Sequence, residues 1–176
     1  MAPTTAGGTI PRMSTKTATI ALTGDAMRFE ATVGSGHMIV LDDGDSDSGA
    51  RPSELVGVAL GACTAMDVIS ILRKKRQDVT SYTVEVTGLQ VDHHPNYFVR
   101  FDVEHVVEGG SIDPEALRRA IELSCTKYCS VGSTLASGAL EIHHRYRIRT
   151  PGGEELVGEV MVTGPNASAE ELAARV

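Results

Sequence analysis

Apolar and polar positions along this chain follow two different periods, and each period predicts its own kind of element. Residues 16–22, 27–33 and 37–42 are short strand candidates, rich in apolar and β-branched side chains and separated by the turn-forming pieces Thr23-Gly-Asp25 and Gly34-Ser-Gly36. That pattern predicts three short strands in an antiparallel meander. Residues 55–72 are instead apolar nearly all round, which predicts a long central helix. Pro52 stands at its expected first position, where a missing N–H costs nothing, and Glu54 lies in its first turn. Arg73-Lys-Lys-Arg76 places four cations at the expected C-terminal end, where the helix dipole is negative. Gly57 and Gly61 would let another helix approach closely.

Strand alternation returns over 81–91 and 97–107, with Asp92-His-His-Pro-Asn96 as the turn between them. Tyr97, Val99, Phe101 and Val103 share one face there, and Arg100, Asp102 and Glu104 the other. Asp113 as N-cap and Pro114 at the first helical position open a second helix, running to about Ser124. A short helix over 127–135 is predicted to carry Cys129. It is followed by a strand over 140–149 with Leu140, Ile142, Tyr146 and Ile148 inward, a strand over 155–163 and a terminal helix from Ser168. Two major helices with five or more strands make the fold class α+β. The expected organisation is a flexible tail over 1–15, one ordered domain over 16–149, and an extension over 150–176 of strand plus short helix packed on the same domain.

The apolar run 55–72 is long enough to be weighed as a membrane span, but Thr64, Asp67 and Ser70 within it favour a buried helix. A net charge of −7 disfavours a general nucleic-acid or anionic-membrane role, and the basic cluster after the run is explained by the helix end. No basic and apolar leader is seen at the start, so the expected compartment is the cytoplasm. Thiols are kept reduced there, which favours a transient or catalytic disulfide over a permanent one.

Three cysteines then carry the candidate chemistry: Cys63 inside the long helix, Cys125, and Cys129 in Lys127-Tyr-Cys-Ser-Val131. The residues alone leave two readings of Cys63. A free cysteine in an apolar run is ordinarily a small core hydrophobe, whereas a redox role requires a second thiol and a nearby cation. Arg28 and Arg51 are the cations from preceding regions, and Glu54 is a carboxylate to pair with one of them. Lys127, Tyr128 and Ser130 suggest that Cys129 sits in a partly solvated segment, with Cys125 on the same helical face. No metal site is expected. The sequence contains no Cys-x-x-Cys pair, His143 and His144 must point to opposite faces of a strand, and His93-His94 lies in a turn.

Pro52-Ser-Glu-Leu55, the helix from Ala59-Leu-Gly-Ala-Cys-Thr-Ala-Met-Asp to Arg76, and Tyr128-Cys-Ser-Val131 together resemble the OsmC/Ohr family of osmotically inducible and organic-hydroperoxide-resistance proteins. The likeness covers roughly residues 16–148 and is nearer the YhfA-type branch than the hydroperoxide-resistance branch. It implies antiparallel sheets wrapped around central helices in an intertwined homodimer, with active sites at the interface. It further implies a thiol-dependent peroxidase of oxidative-stress defence that reduces organic hydroperoxides, and possibly hydrogen peroxide. Cys63 would be the peroxidatic thiol and Cys129 the resolving one, with no bound cofactor and an external dithiol, such as a lipoyl group or lipoylated protein, as reductant. The family's catalytic glutamate falls ten residues before the first cysteine, where this chain has Ser53, while Glu54 stands nine before; its arginine corresponds to Arg28 or, second, Arg51. An apolar pocket between Met66, Val56 and the facing subunit would favour alkyl over inorganic peroxides. The rival expectation is a non-catalytic redox-sensing or ligand-binding dimer of the same fold.

Overall fold

A computed structural model describes residues 14–165 apart from Asp25 and Ser46. The terminal helix expected from Ser168 lies outside the described residues, as does nearly all of the 1–15 tail. The chain divides after Pro52 into two compact units.

The first unit holds β1 (Ala18–Leu22), β2 (Phe29–Val33) and β3 (Met38–Leu41), an antiparallel sheet in sequence order, as the strand candidates and turn signals predict. Gly36 adopts φ +86° at the β2–β3 turn, a conformation that L side chains rarely enter. Buried Asp42 organises the following loop through its own carboxylate, which accepts from the Gly44 N–H at 2.8 Å, the Gly49 N–H at 3.0 Å and the Ser48 hydroxyl at 2.9 Å.

The second unit holds α1 (Glu54–Lys74), β4 (Val79–Gln90), β5 (Phe98–Gly109), α2 (Pro114–Leu123), a π-helical turn (Ser124–Tyr128), α3 (Ser130–Leu135), β6 (Glu141–Arg149) and β7 (Glu155–Thr163). Pro52 stands in the turn ahead of α1 rather than in its first turn, and Ser53 is the cap. At α2, Asp113 caps with its carboxylate accepting from the Glu115 N–H at 3.0 Å, and Pro114 sits at the start as predicted.

The four strands form one sheet in the order β4-β5-β6-β7. The expectation of antiparallel sheets holds for every pair except β5 and β6, which run parallel. A parallel pair cannot be joined by a tight turn; it needs a long crossover, and here the crossover carries α2, the π-turn and α3.

Leu60, Thr64, Val68 and Leu72 recur every four residues on α1 and are all fully or almost fully buried, forming the stripe that faces the core. Leu60 joins a cluster with Phe101, Val103 and Ile142, while Val68 and Leu72 join one with Val107, Leu117, Ile121 and Ile148. A polar layer falls between the two. Thr64 occupies the intermediate level on α1, His105 that on β5 and His144 that on β6. Gly57 and Gly61 admit strand β4 and not a second helix, because a Cβ at Gly61 would lie 2.8 Å from Val86 Cγ2. Among the described residues α1 is the one helix long and apolar enough to cross a bilayer, yet its buried stripe packs as a core helix does.

Tyr82 Oη lies 2.7 Å from His105 Nδ1, and the His105 ring stacks on that of His144. Burial drives the Tyr82 pKa upward, so its hydroxyl is the donor and His105 Nδ1 the acceptor. Burial also pushes the His105 pKa down to about 3 and that of His144 down to about 4. An unfolded imidazole titrates near 6.5, so the unfolded chain takes up protons first as pH falls. Stability present above about pH 6.5 is therefore expected to decline toward pH 4. Urea midpoints measured from pH 7 to 4.5 should fall, with a shallower slope in His105→Gln; a flat wild-type profile would contradict a neutral buried pair.

Candidate active site

Cys63 precedes the buried Thr64 on α1 and is partly exposed, and Asp67 follows one turn later on the same face. Cys129 comes to them from the crossover. Beyond α2 the chain widens into the π-turn, in which the Cys129 N–H reaches back to the Ser124 carbonyl at 2.9 Å. Cys129 then leaves helical geometry at φ −71°, ψ 99° and becomes the N-cap of α3, its sulfur accepting the Gly132 N–H at 3.2 Å. Two expectations are corrected here. Cys129 caps a helix instead of lying within one, and it is 2% exposed although Lys127, Tyr128 and Ser130 face outward. The extended cap conformation turns the thiol inward while its neighbours remain at the surface.

The Cys63 and Cys129 sulfurs and a carboxylate oxygen of Asp67 lie within 4.8 Å of one another, a grouping of three metal-capable side chains. Fully buried Ser124 ties this group to the core. Its hydroxyl is 2.9 Å from Asp67 Oδ2 and 3.0 Å from Thr64 Oγ1. A serine has one proton and a carboxylate only accepts, so Ser124 donates to Asp67 and receives from Thr64. Burial pushes the Cys129 thiol up to about 12, the Cys63 sulfur and the Asp67 charge add to that, and the Gly132 N–H acts in the opposite sense. Burial likewise raises Cys125. Its side chain belongs to the cluster containing Val68 and Leu117, so it is a core thiol and not a member of the group.

The other residues singled out from sequence are placed elsewhere. Glu54 opens α1 nine residues before Cys63, about 13 Å away along the helix axis, so the helix does not bring the two side chains together. Glu54 and Ser53 border a groove of about 660 Å³ whose walls include Gly57, Gly61, Val86 and Phe101. Arg28 belongs to the first unit, where its guanidinium donates to Glu30 at 2.9 Å and to Thr23 Oγ1 at 2.7 Å. Arg51, in the same unit, packs its guanidinium over Gly44. Val56 packs against the core near Phe101, and Met66 is 71% exposed. His143 pairs with Glu141 at 3.0 Å while His144 is buried, which fits opposite faces of one strand. Asp67 and Ser124 were not singled out as site residues. The four-residue spacing of Asp67 from Cys63 is the signal that marks it, whereas nothing in the local pattern around Ser124 does.

The family model for OsmC-like protein matches residues 44–145. The protein YhfA of Escherichia coli strain K12 is 36% identical over 124 residues, covering 70% of this chain and 92% of its own. A hypothetical protein from Aquifex aeolicus VF5 superposes with a TM-score of 0.68 at 28% identity, over 78% of this chain and 98% of that one. An organic hydroperoxide resistance protein from Elizabethkingia anophelis has a TM-score of 0.52 at 15% identity, over 79% and 98%, and so shares the fold.

Two outcomes test this geometry. Ser124→Ala leaves the Asp67 carboxylate without its buried donor and should cost about 1–3 kcal/mol in a denaturant midpoint, while loss well below that range would remove the clasp from the site. In a Cys63→Ser, Cys125→Ser background, iodoacetamide labelling of Cys129 should keep accelerating with pH and show no plateau by pH about 9.5. A plateau near pH 8 would mean an ordinary exposed thiol.

Proposed function

The chain belongs to the OsmC-like protein family, and from that premise we propose that it is a two-cysteine, thiol-dependent peroxidase acting on organic hydroperoxides as a homodimer. The observation carrying this reading is the approach of the Cys63 and Cys129 sulfurs to within 4.8 Å across separate elements. Their unequal burial supports the proposed division of roles. Cys63 is accessible enough to meet a peroxide, and Cys129 waits behind it as a buried neutral thiol.

The Cys63 thiolate attacks one peroxide oxygen, the O–O bond breaks, and the departing alkoxide takes a proton to leave as alcohol. Cys63 is then a sulfenic acid. The Cys129 sulfur attacks the Cys63 sulfur, its own proton leaves with the displaced hydroxide as water, and a disulfide forms. The sulfurs must close from below 4.8 Å to about 2.05 Å, a movement within the range of a cap residue and a side-chain rotation. An external dithiol takes over the disulfide and releases both thiols, a role suited to a lipoyl group. Arg28 is the cation proposed to favour the Cys63 thiolate. Exposed Met66 lies on α1 one turn from Cys63, and its apolar surface, closed over by a second copy, would favour an alkyl substrate.

One observation favours the rival reading, a non-catalytic redox-sensing dimer: Asp67 sets a carboxylate beside the thiols, and negative charge opposes thiolate formation. Consumption of cumene hydroperoxide under dihydrolipoamide separates the two. Wild-type protein should turn over, Cys63→Ser should lose turnover by at least about 10³-fold, and Cys129→Ser should accumulate a dimedone-trapped sulfenic acid. Cys125→Ser should retain turnover, and Arg28→Ala should lower it. A wild-type protein inert toward cumene hydroperoxide and hydrogen peroxide alike would assign the site to sensing.

A further inference from the structure

A peroxidase needs its reacting thiol charged, yet a carboxylate oxygen of Asp67 lies within 4.8 Å of both sulfurs. Three anion-forming side chains drawn together are costly unless they stay protonated or share a cation. Two sulfurs and one carboxylate oxygen are also three of the four donors of a tetrahedral thiophilic site. We infer that the reduced protein binds one Zn²⁺-type thiophilic divalent cation through Cys63 Sγ, Cys129 Sγ and an Asp67 carboxylate oxygen, with water in the fourth position.

The spacing supports the assignment. Zn–S bonds of about 2.3 Å in a tetrahedron place two sulfurs about 3.8 Å apart, so donors lying within 4.8 Å need to draw in by about 1 Å at most. The surrounding groups are those a bound ion requires. Ser124 donates to Asp67 Oδ2 at 2.9 Å, which orients the carboxylate and leaves its other oxygen for the metal. The Gly132 N–H at 3.2 Å from the Cys129 sulfur would support that sulfur as a thiolate. Cys63 and Asp67 are partly exposed, giving an entry route, while Cys129 closes the inner side. Two thiolates rule out a preference for Mg²⁺ or Ca²⁺, which take oxygen donors.

The sequence expectation of no metal site rested on histidine pairs and on the missing Cys-x-x-Cys, and this set uses neither. One donor pair comes from a single turn of α1, and the third donor arrives from the crossover only in the folded chain. The inference does not depend on peroxide turnover, since the same thiols would bind metal in either a peroxidase or a sensor.

The test is anaerobic titration of the fully reduced chain with Co²⁺, followed by displacement with Zn²⁺. One equivalent should bind with the d–d bands of a tetrahedral site and a thiolate-to-cobalt charge-transfer band, and Zn²⁺ should abolish both. Cys129→Ala should lose most of the charge-transfer intensity. Asp67→Asn, which keeps the shape and an acceptor for Ser124, should weaken affinity by at least about tenfold. His93→Ala, His94→Ala should change nothing. An octahedral spectrum without charge transfer, binding that survives Cys63→Ser with Cys129→Ala, or affinity unaltered by Asp67→Asn would overturn the site. If Asp67→Asn fails to fold by circular dichroism, Asp67→Glu and the Cys129→Ala band decide instead. Cobalt binding is read without peroxide, so its failure is separate from failure of the peroxidase reading.

Discussion

One buried hydroxyl holds the second unit's chemistry in register. Ser124 begins the π-turn and bonds to both Thr64 and Asp67 of α1, so the segment leading to Cys129 is pinned one helical turn from Cys63. Apolar packing alone would not set that position, because hydrophobic contacts are non-directional and tolerate sliding by a fraction of a turn. A buried hydrogen bond does not, since a displaced hydroxyl leaves an unpaired carboxylate behind it. The two apolar clusters hold α1 against the sheet, and the polar layer between them fixes the level at which the crossover docks.

That layer also shapes the electrostatics of the site. Asp67 and Cys125 both act on Tyr82, whose hydroxyl leads on to His105 and then to the His144 ring. Tyr82, Cys125, His105 and His144 are each neutral in the folded state near pH 7, because burial disfavours the charged form of phenol, thiol and imidazole alike. Asp67, partly open to water, lies beside the thiols and outside this neutral group.

Much of the fold was legible from periodicity. The seven strands and two long helices among the described residues fall on the segments that the apolar patterning and turn signals mark, and Asp113-Pro114 marks a helix start that the hydrogen bonding reproduces. His105 was legible in principle too, since it continues the inward alternation of Phe101 and Val103. What escaped has a common physical origin. The parallel pairing of β5 with β6 is decided between strands separated by a crossover, and no local pattern encodes it. The π-turn differs from an α-turn by one residue of winding, which Ser-Cys-Thr-Lys-Tyr does not advertise, and with it went the inward aim of Cys129. Asp67 was visible as a polar intrusion into an apolar helix, but its partner Ser124 lies on another element. The family resemblance located Cys63 and Cys129 without supplying either neighbour.

The parallel β5–β6 pair bears on how the chain comes to have this site at all. Cys129 lies on the connection that must be laid across α1 before β6 can register against β5, a pairing of long sequence separation whose entropy cost precedes its reward. The β4–β5 hairpin and α1 are available from local contacts, whereas the two thiols meet only when that slow closure is complete. Until that pairing forms, each cysteine is a solitary thiol of an open chain, so the site exists only while the crossover stays docked on α1.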